Sequence, residues 1–331
     1  MLRTASAREV RLPESRAIAR GTLPPSPGDS ARRSDPRRRR RVVPGTRCAT
    51  ASLRRVDDPV VWLNGAIVPE SQARISPRDH GLLVGDGVFE SVRITAGQAF
   101  AVGRHLARLA RSAGALGLEL PPAGELRRAV SAVLAATGVV EGRLRITATS
   151  GPGGFSSARP TAGTTVVVAA EEAPPWSPHV AVITVPWPRN ERGATAGVKT
   201  ISYAENVLAL QRAHAAGAGE AIFANTRGEL CEGTGTNVFL VLGGRLLTPP
   251  LSVGCLAGVT RDLTLEITDA TEETVPLGAL AEASEAFLTS TTRNVHPISA
   301  VDGVPLPACP GPATRAARRA FKELEAENLD P

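Results

Sequence analysis

A chain of 331 residues, 42% hydrophobic and 21% charged, has room for about two globular domains of roughly 100–200 residues each. No apolar run approaches the ~18 residues a transmembrane helix needs, which excludes a membrane span. The four cysteines, Cys48, Cys231, Cys255 and Cys309, lack CxxC spacing, which argues against a zinc site and a disulfide framework and suits a reducing cytoplasm.

Charge divides the chain. Residues 1–58 carry 15 Arg against 6 Asp+Glu, a net of +9 where the whole chain is +6, so residues 59–331 net −3. A nucleic-acid-binding groove across the folded part is therefore not expected. The run Arg37-Arg38-Arg39-Arg40-Arg41, the Pro/Ser/Gly stretch Pro24 to Ser30 and the absence of apolar periodicity read as a disordered basic extension over 1–58, with no catalytic role.

Val60 to Leu63 and Ala66 to Val68 flank Asn64-Gly65, the strongest hairpin signal in the chain. A second hairpin is read from Phe89 to Ile94, a turn at Ala96-Gly97, and Ala99 to Val102. Apolar spacing predicts helices over 104–116 and 123–137, and alternation predicts strands over 143–149 and 164–170. These make a small α+β domain, 59–172. Pro174-Pro175-Trp176-Ser177-Pro178 marks a linker, 173–180. Strands at 180–185, 219–224, 237–242, 245–248, 274–276 and 285–289, with helices at 203–216, 259–268 and 312–326, make a larger α/β domain, 181–331.

Only two of the 38 Lys+Arg residues are lysines, Lys199 and Lys322. Lys322 lies in a charged tail. Lys199 sits in a small, nearly neutral stretch from Gly193 to Tyr203, where desolvation would favour the neutral amine that Schiff-base chemistry requires. A lone loop lysine at the surface is the alternative. Val198 separates Gly197 from Lys199, so the segment is no P-loop, and the glycines at 151, 153 and 154 make no dinucleotide fingerprint. Glu232 lies in a Gly/Thr-rich turn running into a buried strand; it is either a solvated loop glutamate or a carboxylate able to hold a pyridinium nitrogen protonated. Leu256 to Asp262 opens a helix with small residues and a hydroxyl, a natural phosphate cradle.

Five blocks in order carry a family resemblance: Gly85-Asp86-Gly87-Val88-Phe89-Glu90, His105-Leu106-Ala107-Arg108-Leu109, Val198-Lys199-Thr200-Ile201-Ser202-Tyr203, Glu232 to Phe239, and Ala257-Gly258-Val259-Thr260-Arg261. Over about residues 60–305 the chain resembles the class IV aminotransferases, the fold-type IV enzymes of pyridoxal 5′-phosphate (PLP). That resemblance implies a two-domain fold, a smaller N-terminal α+β domain and a larger C-terminal cofactor-binding domain. It makes Lys199 the Schiff-base lysine and proton shuttle and pairs Glu232 with the cofactor's ring nitrogen. Arg108, Val259, Thr260 and Thr291 become phosphate contacts, and no metal is implied. Arg145 aligns with a substrate-carboxylate arginine, although Arg143 and Arg145 also fit plain strand charges. Tyr203 is a substrate-side candidate or a packing residue, because the family's cofactor-contacting tyrosine aligns at Ala204. A homodimer is implied, with the segment from Gly85 to Phe89 reaching the neighbour's site.

Within the family, Gly85-Asp86-Gly87 and the glycine-rich Ser150 to Ser156 resemble 4-amino-4-deoxychorismate lyases, which release pyruvate to leave 4-aminobenzoate. That reading leads. An L-amino-acid aminotransferase of branched-chain type, using 2-oxoglutarate, stands close behind. Thr149 to Phe155 lacks the Arg-x-His carboxylate trap of D-amino-acid transaminases. A non-catalytic α/β binding protein is the more distant alternative.

Overall fold

The computed structural model describes residues 58–331, so the extension read over 1–58 lies outside the described residues apart from Asp58. The chain enters on a hairpin, β1 (Val60–Leu63) and β2 (Ala66–Pro69). Asn64 and Gly65 turn it with φ of 46° and 101°, the left-handed pair that a two-residue hairpin requires. A five-residue helix absent from the sequence reading follows, α1 (His80–Val84). The Asp79 side chain caps its start and Gly85, at φ 69°, ends it.

Then come β3 (Gly87–Thr95), β4 (Gln98–Ala99), α2 (Val102–Leu116), α3 (Ala123–Thr137), β5 (Gly142–Thr149) and β6 (Thr165–Glu172). The strand read over Ala99 to Val102 stops at Ala99, because Val102 already begins α2. The six strands form one antiparallel sheet in the order β2-β1-β6-β5-β3-β4. Leu106, Leu109, Leu126 and Val133 of the two helices pack on Val88, Val92, Leu144 and Ile146 of the sheet. Each such side chain contributes roughly 1.5–3 kcal/mol by leaving water.

The remaining elements are β7 (Val180–Thr184), α4 (Ala204–Ala215), β8 (Glu220–Ala224), β9 (Leu230–Gly233), β10 (Asn237–Leu242), β11 (Arg245–Thr248), α5 (Val259–Ile267), β12 (Thr271–Glu272), α6 (Ala279–Glu282), β13 (Glu285–Ser290), β14 (Asn294–Val301), β15 (Val304–Pro305) and α7 (Pro312–Glu327). They build a mixed nine-stranded sheet, β12-β11-β10-β13-β14-β7-β8-β9, with β15 on β14. The strand read at 274–276 forms instead at Thr271–Glu272. β14 was not foreseen. Pro297 within it removes a ladder donor, and the register shifts between Ile298 and Ala300.

The fold is the mixed α+β architecture expected. Its two sheets share a third core, in which Phe100 and Ala101 pack with Phe239, Phe287 and Phe321. The Ala101 N–H donates to Leu329 O at 2.6 Å, so the C-terminal segment is fastened to the first sheet. The described residues, 58–331, fall in one compact unit.

Candidate active site

Alternation along β3 decides what each residue faces. Val88, Val92 and Ile94 point into the helical core, and Glu90 shares that face with no exposed surface. A carboxylate there must be compensated. Arg108 donates to both its oxygens, Nε to Oε1 and Nη2 to Oε2, each at 2.7 Å, and His105 Nδ1 donates to Oε2 at 2.7 Å. Burial alone would raise the Glu90 pKa, but the Arg108 charge and these bonds hold it down at about 2. Arg108 Nη1 donates to Ala257 O at 2.9 Å, tying α2 to the start of α5. His105 Nε2 lies 3.5 Å from Thr291 Oγ1. Burial lowers the His105 pKa.

One turn further along α2, Ser112 Oγ accepts the Lys199 N–H at 3.2 Å. Lys199 O in turn accepts from the Phe89 N–H at 3.1 Å, and the Ile201 N–H donates to Gly87 O at 3.0 Å. The lysine segment is thereby stitched to β3. A Cβ at Gly87 would come within 2.6 Å of Ala148 O, which is why a glycine stands there. Lys199 Nζ sits 4.2 Å from the Phe89 ring centroid. Burial, then the charge of Arg108, lower its pKa to about 8. The lysine is not at the surface, being 9% exposed, but its setting is less neutral than its own segment suggests, because Arg108, Glu90, Glu232 and Arg145 all act on it from other elements.

Glu232 lies on β9 rather than in a turn, opposite Phe223 of β8. Its Oε2 accepts one loop amide, Leu256 N–H, at 2.9 Å. Its Oε1 stands 3.2 Å from Arg189 Nε and, among the described residues, accepts no aligned hydrogen bond. Burial outweighs the Arg189 charge and the Leu256 amide and raises the Glu232 pKa. Beyond Leu256, Gly258 begins α5 without a side-chain cap among the described residues, which leaves the first helical N–H groups available. A Cβ at Gly258 would overlap Asn237 Oδ1.

Arg145 reaches the same space from β5. Its guanidinium lies 3.8 Å from the Phe89 ring centroid, Nε donates to Thr147 Oγ1 at 3.1 Å, and burial lowers its pKa. Tyr203 meets Phe89 edge-on at 5.1 Å, and burial, then the Glu232 charge, push its pKa up to about 12.

A single cavity of about 590 Å³ gathers all eight residues singled out in the sequence. Lys199, Arg108 and Glu232 line it together with Val259, Thr260 and Thr291, and Arg145 and Tyr203 complete the wall. Phe89 lines the same cavity, its ring against Lys199 Nζ. Sequence reasoning missed Arg189, isolated in Pro186-Trp187-Pro188-Arg189 with no periodic signal, and gave Glu90 and His105 no role of their own.

The family model "Amino-transferase class IV" matches residues 87–301, which contain every one of these cavity residues. The chain belongs to the class IV aminotransferases. It is 34% identical over 253 residues to a putative branched-chain-amino-acid aminotransferase of Methanocaldococcus jannaschii, covering 73% of this chain and 88% of that one. It is 30% identical over 275 residues to D-alanine aminotransferase of Bacillus licheniformis, covering 79% and 95%. Among solved structures it is similar to the branched-chain aminotransferase of the thermophilic archaeon Thermoproteus uzoniensis with norvaline, at TM-score 0.75 and 30% identity over 81% of this chain and 94% of that one. A putative 4-amino-4-deoxychorismate lyase of Legionella pneumophila shares the fold at TM-score 0.73 and 20% identity, over 77% and 96%.

Class IV aminotransferases are PLP enzymes, and this cavity fits the cofactor. It offers a buried amine whose pKa burial lowers to about 8, a buried carboxylate on Glu232, an uncapped helix start for a phosphate, and a buried Thr289 Oγ1 without a partner among the described residues.

Proposed function

We propose that this enzyme transfers the amino group of an L-amino acid with an aliphatic side chain to a 2-keto acid such as 2-oxoglutarate. The observation that carries the reading is Arg145. Among the described residues it is the cavity arginine with no carboxylate partner: Arg108 pairs with Glu90, Arg143 with Glu171, Arg189 with Glu232 and Arg293 with Glu220. Its guanidinium and Lys199 Nζ both lie against the Phe89 ring in the one cavity, and a charge-assisted pair with Arg145 would hold a substrate carboxylate there.

PLP supplies an electron sink for the carbanion at that α-carbon. Lys199 Nζ would anchor the cofactor and carry the proton removed from the substrate carbon. Glu232 would accept from the ring nitrogen and keep it protonated. Arg108, the amides of Val259 and Thr260, and the Thr260 and Thr291 hydroxyls would hold the phosphate, while Tyr203 packs beside Phe89. The similarity to branched-chain aminotransferases supports this reading over the lyase, whose relative shares fold alone. The sequence cues for the lyase also lie off the cavity wall: Asp86 is paired with Arg159 at 2.9 Å, and Ser150 to Ser156 do not line the site.

We further propose a homodimer in a reducing cytoplasm. Leu82, Val84 and Ile75 stand exposed around α1, and Cys231, Cys255 and Cys309 are free thiols.

Two assays decide the reaction. The expected result is amino transfer from leucine, isoleucine or valine to 2-oxoglutarate, with Arg145→Met raising KM for the amino acid about 10–100-fold, as loss of a charge-assisted contact implies. Pyruvate release from 4-amino-4-deoxychorismate without amino transfer would establish the lyase instead.

A further inference from the structure

We propose that Arg189 is a positioning residue for Glu232, fixing the carboxylate's orientation and supplying the counter-charge its burial demands. The inference rests on Glu232 facing the cofactor, as in the reading above.

Sheet register builds the arrangement. β8 pairs with β9 so that Phe223 stands directly across from Glu232. Beyond the end of β7 the chain continues beside β8: the Arg189 N–H donates to Ala224 O at 2.8 Å, and Arg189 bridges Asn225 in parallel. The backbone of Arg189 is therefore fixed next to the pair. Its guanidinium lies 4.0 Å from the Phe223 ring centroid, a stacking that suits a flat, weakly hydrated cation.

From that seat Nε stands 3.2 Å from Glu232 Oε1 and Nη1 stands 3.6 Å from Glu205 Oε2. The two contacts are unequal. The Glu205 side chain is 74% exposed, so its pair is screened and worth little. The Glu232 side chain is 14% exposed and Arg189 16%, so removing the arginine would leave a largely desolvated carboxylate uncompensated. Leu256 N–H holds Oε2 while Arg189 approaches Oε1 off the hydrogen-bond axis. One carboxylate oxygen is thus held by a backbone amide and the other has the Arg189 charge beside it, in a cavity that Glu232 and Arg189 both line.

A structural staple joining the Arg189 loop to α4 would show the same contacts, and a double-mutant cycle separates the two roles. The set is wild type, Arg189→Met, Arg189→Lys, Glu232→Gln and Arg189→Met with Glu232→Gln. Methionine keeps apolar contact with Phe223. Should it fail to fold, Arg189→Gln takes its place. Turnover is measured on the holoenzymes, and PLP affinity on the same proteins after the cofactor is removed.

Arg189→Met is expected to lower kcat and PLP affinity about tenfold each, with KM for the amino donor within about twofold, and Arg189→Lys to recover most of both. In the Glu232→Gln background the same methionine should change neither by more than about twofold, because its target is already gone. Equal losses in both backgrounds, unchanged behaviour of Arg189→Met, or a change confined to KM would overturn the proposal. The PLP-affinity arm needs no substrate, so it reports on the pair whichever amino-acid chemistry the enzyme performs. Failure of the transaminase assay with an intact cycle would fault the proposed reaction alone.

Discussion

Lys199 shows how one residue's chemistry is set by its neighbours. Its segment is pinned to β3 and to Ser112, its amine lies by the Phe89 ring, and Arg108 adds a like charge. With lysine-selective ¹³Cε labelling the chain gives only two resonances, and Lys199→Arg identifies the one in question. In the cofactor-free protein that resonance should titrate near pH 8. A midpoint above pH 10 would mean the site does not desolvate the amine. This lysine was legible in the sequence because an arginine-rich chain kept almost no others and gave this one a small, neutral setting. Glu232 was legible by its motif, though its place on a strand was not. Arg189 was not legible at all: its partners are set by the β8–β9 register, which no local pattern around residue 189 encodes.

At the level of elements, β3 and α2 work as one device. A period of two on the strand turns Glu90 inward and Phe89 to the cavity, while the helix presents His105, Arg108 and Ser112 on one stripe. Glu90→Gln should cost about 3–5 kcal/mol of stability at neutral pH, since it strands a buried guanidinium. The Glu90 pKa is depressed on folding, so its contribution is complete above the ordinary 4.5 and is lost as pH falls towards about 2. Denaturant unfolding of wild type and variant should therefore converge across that window and stay parallel above it. A gap independent of pH would show that shape, not charge, holds the cluster. The long elements were readable because amphipathic spacing persists over many residues. α1 was hidden because five residues cannot show a period, β9 because Gly and Thr follow it closely, and β14 because Pro297 argues against a strand.

For the whole molecule, charge is unevenly divided along the chain. Residues 1–58 net +9 and residues 59–331 net −3, and the described residues begin at Asp58, which accepts from the Ser71 N–H and hydroxyl. A protein starting at Asp58 should keep activity within about twofold and scatter light as a dimer. Lost activity would give the extension a role in the site, and an active monomer would remove the proposed interface. Two sheets, packed over a shared core, bring one lysine into the cavity proposed to hold PLP. Borohydride reduction of the holoenzyme followed by peptide mapping shows whether that lysine carries the cofactor, because the chain offers only Lys199 and Lys322 as lysine acceptors. The pyridoxyl group is expected on Lys199 and none on Lys322, with Lys199→Ala folded but inactive and lacking the visible absorption. A pyridoxyl group on Lys322, or full turnover by Lys199→Ala, would contradict it.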